Sequence, residues 1–295
     1  MSKRNATSQP PAPFIVEPSG AHTHSLIFLH GFGSNGETFG RVLLDSGMTS
    51  KGLRLPQLLP GARFIFPTSR RRRSTAFSRS MLTMWFDKAR MDDPSYRKDL
   101  QLQGLEESAR EILDLIRHER DAKGIAPKNI ILGGLSQGCA MSLSIMLCLD
   151  YHIGGFVGMS GYLPFREDID EALAGAPIGD DDDNPFADDG EDAKRHDPAV
   201  KASIFERDLL GLPGVEVPEI VQTAHGTPVF LGHSNNDDKV PCSLGEAMRR
   251  TVERAGYEVE WKCYQGLGHW YKIPDEIDDV VEFIRNKVGW EVASI

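Results

Sequence analysis

The sequence predicts an α/β domain: a doubly wound, mostly parallel sheet with helices on both faces. Two observations carry that reading, namely short apolar runs, partly β-branched, and longer helical patterns alternating with them. A third is compositional. With 295 residues, 40 % of them hydrophobic and 26 % charged, the chain is sized for one large core.

The strand candidates are 25–29, 63–66, 129–132, 155–159, 228–232 and 258–264. Their short apolar cores suit strands covered on both faces. The clearest helix spans about 100–123, where Leu102, Leu105, Ala109, Ile112, Leu115 and Ile116 recur at three- and four-residue steps. Gly124 and Pro127 end it. Further helices are expected at about 137–150, 243–255 and 274–288. Residues 1–13, rich in Pro and Ser, read as a disordered tail, with the domain running over 14–295. Residues 175–227 interrupt the alternation and read as an acidic insertion on the rim, partly disordered around 179–197.

Residues 180–192 hold eight acids and no base, so the net charge of −10 is local and argues for no charged partner. The basic run Arg70 to Arg73, with Arg79 nearby, reads as a solvated loop. Without interleaved aromatics it is a weak nucleic-acid signal, so no nucleic-acid partner is expected and at most transient contact with a membrane surface. No apolar run approaches a membrane span, and the first residues lack a secretory signal's apolar core. Cys139, Cys148, Cys242 and Cys263 show no framework spacing; three of them sit in segments that read as helix or strand, which favours buried free thiols. A cytoplasmic protein is expected.

Two site readings compete. Gly31, Gly33 and Gly36 after the first strand satisfy GxGxxG, the dinucleotide pattern. That reading needs an acid about 20 residues on to hold the ribose, yet no Asp or Glu occurs between Asp45 and Asp87. An NADP-binding alternative would have to use the arginines instead. The second reading starts at Gly134-Leu135-Ser136-Gln137-Gly138, a GxSxG motif after an apolar strand and before a helical run. This is the setting of a nucleophile elbow, where flanking side chains would collide with neighbouring backbone.

A serine nucleophile needs a histidine base and an acid that orients it, and in α/β hydrolases these follow the serine as acid, then histidine. Of the five downstream histidines, only His269 combines a late position with a glycine-flanked loop. Asp237 and Asp238 both lie just after a strand, and either would serve as the acid. His233 beside them suggests a metal, but no third ligand stands at useful spacing. The His-Gly loop gains a function here: Phe32 and Gln137 would offer the two backbone N–H groups of an oxyanion hole.

With these residues in place, the chain resembles the phospholipase/carboxylesterase family, which includes the acyl-protein thioesterases. The stations are His30-Gly31-Phe32-Gly33, Trp85-Phe86-Asp87, Gly134 to Gly138, His233 to Pro241, and Gly266-Leu267-Gly268-His269. The acid motif of the family sets an Asp four residues after its His, which implies Asp237 over Asp238. The resemblance implies a serine carboxylesterase or thioesterase without a cofactor, acting on a small ester or an acylated protein. It also implies a weak substrate-binding role for Trp85, against which stands its reading as a core aromatic. Ser34, Cys139, Ser234, the long insertion and the arginine run depart from the family pattern.

Overall fold

The computed structural model describes residues 10–175, 197–214 and 220–293. Among these residues the strands are β1 (Phe14–Val16), β2 (His24–Leu29), β3 (Ala62–Phe66), β4 (Arg71–Ser74), β5 (Ser80–Thr83), β6 (Ile130–Leu135), β7 (Gly155–Met159), β8 (Val229–Ser234) and β9 (Val259–Tyr264). Seven form one sheet in the order β1-β3-β2-β6-β7-β8-β9, with β1 antiparallel and the rest parallel. Every residue of β3, β6, β7 and β8 is buried. That is why these strands read as unbroken apolar runs rather than alternating ones.

The helices are α1 (Gly36–Ser46), α2 (Leu55–Leu58), α3 (Leu102–Arg117), α4 (Gln137–Cys148), α5 (Arg166–Ala174), α6 (Pro198–Leu209), α7 (Cys242–Arg254) and α8 (Asp275–Phe283). They cover both faces of the sheet. Leu26, Phe28, Phe64 and Phe66 pack with Leu43 of α1, Leu55 of α2 and Phe283 of α8. The alternate residues Ile27, Leu29 and Ile65 pack with Leu105 of α3, Leu143 of α4, Ala202 of α6 and Met248 of α7. The doubly wound α/β sheet of a single domain is therefore present as expected. Helix α4 is buried along its whole length, so it is apolar on every side rather than striped.

Chain direction sets the site. From β2 the chain moves to β3 on one side, then returns to β6 on the other. The reversal opens a crevice at the carboxyl ends of β2 and β6, where α/β sheets assemble their sites.

Several elements escaped the sequence reading. Strand β1 has three residues, too few for a period. Helix α1 carries Gly36 and Gly40, poor helix formers that obscure its pattern. Helix α6 lies inside the segment read as a rim insertion. It is no rim feature: Ala199, Val200, Ala202, Ser203 and Glu206 are buried, and the helix packs against α4 and α5. The stretch read as disordered, around 179–197, lies almost wholly outside the described residues, as do residues 1–9 of the tail.

The arginine run is not a solvated loop. It forms the β4–β5 hairpin, and Arg70 and Arg72 pair with Glu111 and Glu107 of α3. Nor are all four cysteines buried. Cys139 and Cys148 are, but Cys242 is partly exposed, Cys263 is exposed, and their Sγ atoms lie 3.9 Å apart.

Candidate active site

Ser136 occupies the one-residue turn between β6 and α4 at φ 58°, ψ −120°. A non-glycine residue there is strained, and the surroundings hold it. Its N–H donates to Met159 O at 2.9 Å on the neighbouring strand. The flanking glycines are steric necessities. A Cβ on Gly138 would stand 2.1 Å from Leu29 O, and one on Gly134 would stand 2.5 Å from the same oxygen. Cys139, where the family carries glycine, is accommodated from the other side. Its Sγ fills the space that Gly158 and Gly161 leave open, 2.6 and 2.3 Å from where their Cβ atoms would be. Burial pushes this thiol up to about 12, so it stays an inert packing group.

The loop after β2 lies against the serine, with the Cβ position of Gly31 only 3.4 Å from Ser136 Cβ. Its own backbone bonds use the amides of Gly33, to Thr83 O at 2.8 Å, and of Ser34, to Gly31 O at 3.2 Å. Phe32 and Gln137 both border the cavity above Ser136. The side chain of Gln137 is turned away, accepting from Trp85 N at 3.1 Å and donating to Phe86 O at 2.8 Å. That leaves its backbone amide as the group at the N-terminus of α4.

His30 was read only as a motif letter, but it braces this loop. It is fully buried, and burial lowers its pKa to about 4, so the ring is neutral. Nδ1–H donates to Gly31 O at 2.8 Å, and Nε2 accepts from Ser69 N at 3.0 Å. Trp85 completes the brace: its Nε1–H donates to His30 O at 2.8 Å and its ring lies against the imidazole. Trp85 is 0 % exposed and does not line the cavity. The substrate-binding expectation for Trp85 therefore fails, and the core-aromatic reading holds. A buried indole N–H needs a partner, and the carbonyl of His30 supplies it.

Asp237 and His269 are brought together, with Nδ1–H of His269 donating to Asp237 Oδ2 at 2.7 Å. Oδ1 of Asp237 accepts from Val240 N at 2.8 Å and Lys239 N at 2.9 Å. Burial alone would push this carboxyl up. Hydrogen bonds from His233, His269 and the two amides outweigh it and hold the pKa below the usual carboxylate range. Asp238 is mostly exposed and paired with Lys239 at 2.9 Å.

The Nε2–H of His233 donates to Val240 O at 2.9 Å and lies 3.4 Å from Asp237 Oδ2; among the described residues no group of three His, Cys, Asp or Glu side chains converges. Ser234, another departure from the family, donates from its hydroxyl to Leu267 O and so ties the acid loop to the loop of His269.

Ser136 and His269 line one cavity of about 520 Å³, with Phe32, Phe39, Phe77, Met91, Tyr162 and Trp270 among its walls. The dinucleotide reading finds no such support. The first turn of α1, where a pyrophosphate would sit, is already capped: Asn35 Oδ1 takes Thr38 N at 2.8 Å, and Thr68 Oγ1 takes Gly36 N at 2.9 Å.

A sequence profile of the phospholipase/carboxylesterase family matches residues 10–178. The chain belongs to this family. The match stops short of Asp237 and His269, which rest on the geometry above. Curated relatives extend further. Acyl-protein thioesterase 1 of Gibberella zeae is 27 % identical over 279 residues, covering 94 % of this chain and 96 % of that protein. Acyl-protein thioesterase 1 of Saccharomyces cerevisiae is 27 % identical over 271 residues, covering 90 % and 93 %. Among solved structures, Zea mays acyl-protein thioesterase 2 superposes with a TM-score of 0.63 at 23 % identity, over 94 % of this chain and 99 % of that one. That likeness bears on the fold, which is the α/β-hydrolase fold.

Proposed function

We propose that this hydrolase cleaves carboxylic esters or thioesters by a serine acyl-enzyme mechanism. Ser136 attacks the acyl carbon while His269 takes its proton through Nε2. Asp237 holds His269 in the Nδ1–H tautomer and stabilises the imidazolium that forms. The amides of Phe32 and Gln137 receive the developing oxyanion. His269 then protonates the leaving alcohol or thiol, and a water molecule, deprotonated by the same ring, releases the acid and frees the serine. The observation that carries this reading is the strained Ser136 sharing a cavity with a histidine bonded at 2.7 Å to a buried carboxylate.

The names of the relatives favour S-acylated proteins as substrates, with small acyl esters as the other source of the same bond. A cytoplasmic site of action suits a chain whose cysteines are all free and whose described helices are too short or too polar to cross a membrane.

Intact-mass labelling with a fluorophosphonate tests the nucleophile. A single adduct on the wild type that vanishes in Ser136→Ala supports the reading, and no adduct on folded wild type overturns it.

A further inference from the structure

The catalytic cavity contains a cation that the mechanism above does not use. Lys88, one residue past the Trp85-Phe86-Asp87 signature, lines the same cavity as Ser136 and His269 and is 3 % exposed. An ammonium carries three donors. Here one reaches Met91 O at 3.2 Å, and the charge stands 4.5 Å over the ring of Tyr162. Among the described residues no carboxylate pairs with it, and no acid lines the cavity. Asp92 and Asp93 act on it only from a distance. They do not offset burial, which lowers its pKa to about 8. The other lysine on the cavity wall, Lys239, is already paired with the exposed Asp238.

A buried charge without a partner is costly and is normally paired or neutralised. Lys88 is also misplaced for a purely apolar acyl pocket: it shares the cavity wall with Phe32, Phe39, Phe77 and Met91, and its Nζ touches only Met91 O and the Tyr162 ring. We propose that Lys88 is a specificity residue that binds a carboxylate carried by the ester or thioester substrate. The substrate's anion would supply the missing ion pair inside the cavity, where water competes poorly for it. This inference rests on the serine-hydrolase reading, because it uses the cavity that Ser136 serves. The carboxylate can belong to the acyl group or to the leaving group.

The test measures kcat/KM for charged and neutral substrates of equal shape. On the acyl side, the para-nitrophenyl monoester of glutarate is compared with that of glutaramate. On the leaving-group side, the butanoate ester of para-hydroxybenzoate is compared with that of para-hydroxybenzamide. The proposal expects the wild type to favour the charged member of one pair by about tenfold or more. The pair that shows the preference identifies the side. In Lys88→Met that ratio should fall to near or below one, and Lys88→Arg should restore most of it.

A wild type without charge preference in either pair overturns the proposal, as does a preference that survives intact in Lys88→Met. If Lys88→Met does not fold, the wild type still decides. Because kcat/KM reports the free enzyme, the charge preference should decline as pH rises through about 8, and a ratio flat to high pH refutes the role. Taking a ratio cancels the titration of His269, which serves both substrates. Failure of the serine-hydrolase reading looks different: hydrolysis of every ester would survive Ser136→Ala.

Discussion

Asp237 and Lys88 are two buried charges that serve one cavity, and the protein treats them in opposite ways. Asp237 receives hydrogen bonds from His269 and two backbone amides and lies 3.4 Å from the His233 ring, and these contacts outweigh burial and keep it ionised. Lys88 has one carbonyl and one aromatic face, and burial wins, moving its pKa towards the neutral form. The two differ above all in their partners. Asp237 has its partners built in, whereas Lys88 is left short of them, and that shortfall is what the proposed substrate carboxylate would make good.

The comparison breaks most sharply at the machinery. Ser136→Ala should lower ester hydrolysis by about four orders of magnitude or more, read as the initial rate on a short para-nitrophenyl ester. Full activity in that variant would end the assignment. Asp237→Asn should cost about three to four orders of magnitude, because the amide cannot hold the same tautomer of His269. Asp238→Asn, at the surface beside Lys239, should stay near wild type. The reverse result would move the acid by one residue. The tenfold charge preference expected of Lys88 is the next smaller effect.

Glu276 offers a third buried titratable group that sharpens the contrast. It is 1 % exposed and accepts from Lys272 N at 2.8 Å, while its other oxygen has no partner. Like Lys88 it is governed by burial, which raises its pKa from 4.5 to about 8. Between those values the folded protein keeps a proton that the unfolded chain has released. Stability should therefore fall as pH rises across that window and level off above it. Glu276→Gln, which cannot titrate, should remove part of that slope. Thermal unfolding of both proteins at pH 5 and pH 8 checks it, and parallel pH dependences would refute the assignment. The smallest effect concerns exposure alone. A thiol reagent should modify Cys263 and then Cys242 in the native protein, reaching Cys139 and Cys148 only on unfolding.

Much of the site was legible before any coordinates. Ser136, with a glycine on each side of its turn, and the late, glycine-flanked His269 follow from chemistry that tolerates few residue types at each place, while the choice of Asp237 over Asp238 came from the resemblance to the family. The sheet was legible for a related reason: strands buried on both faces must be short apolar runs. Helix α6 was not, because its helical period is weak and its neighbours are acidic and polar. The hairpin of β4 and β5 was hidden by the arginine run, of which Arg70 and Arg72 pair with Glu111 and Glu107 some forty residues further along the chain. Trp85 could be read either as pocket or as core, since an aromatic residue serves both purposes equally well.

By itself, then, the sequence determined the fold class and, through its ordered motifs, the family, because local pattern and chain order are enough for these. It pointed to Ser136 and His269 as nucleophile and base, and only the resemblance to the family preferred Asp237 to Asp238 as the acid. The tertiary structure alone decided that Trp85 holds the carbonyl of His30, that Cys139 sits in the space left by Gly158 and Gly161, and that Lys88 lies in the cavity short of partners. Each depends on which groups from distant segments meet in the interior, and burial and pairing are properties of that meeting, not of the residues one by one.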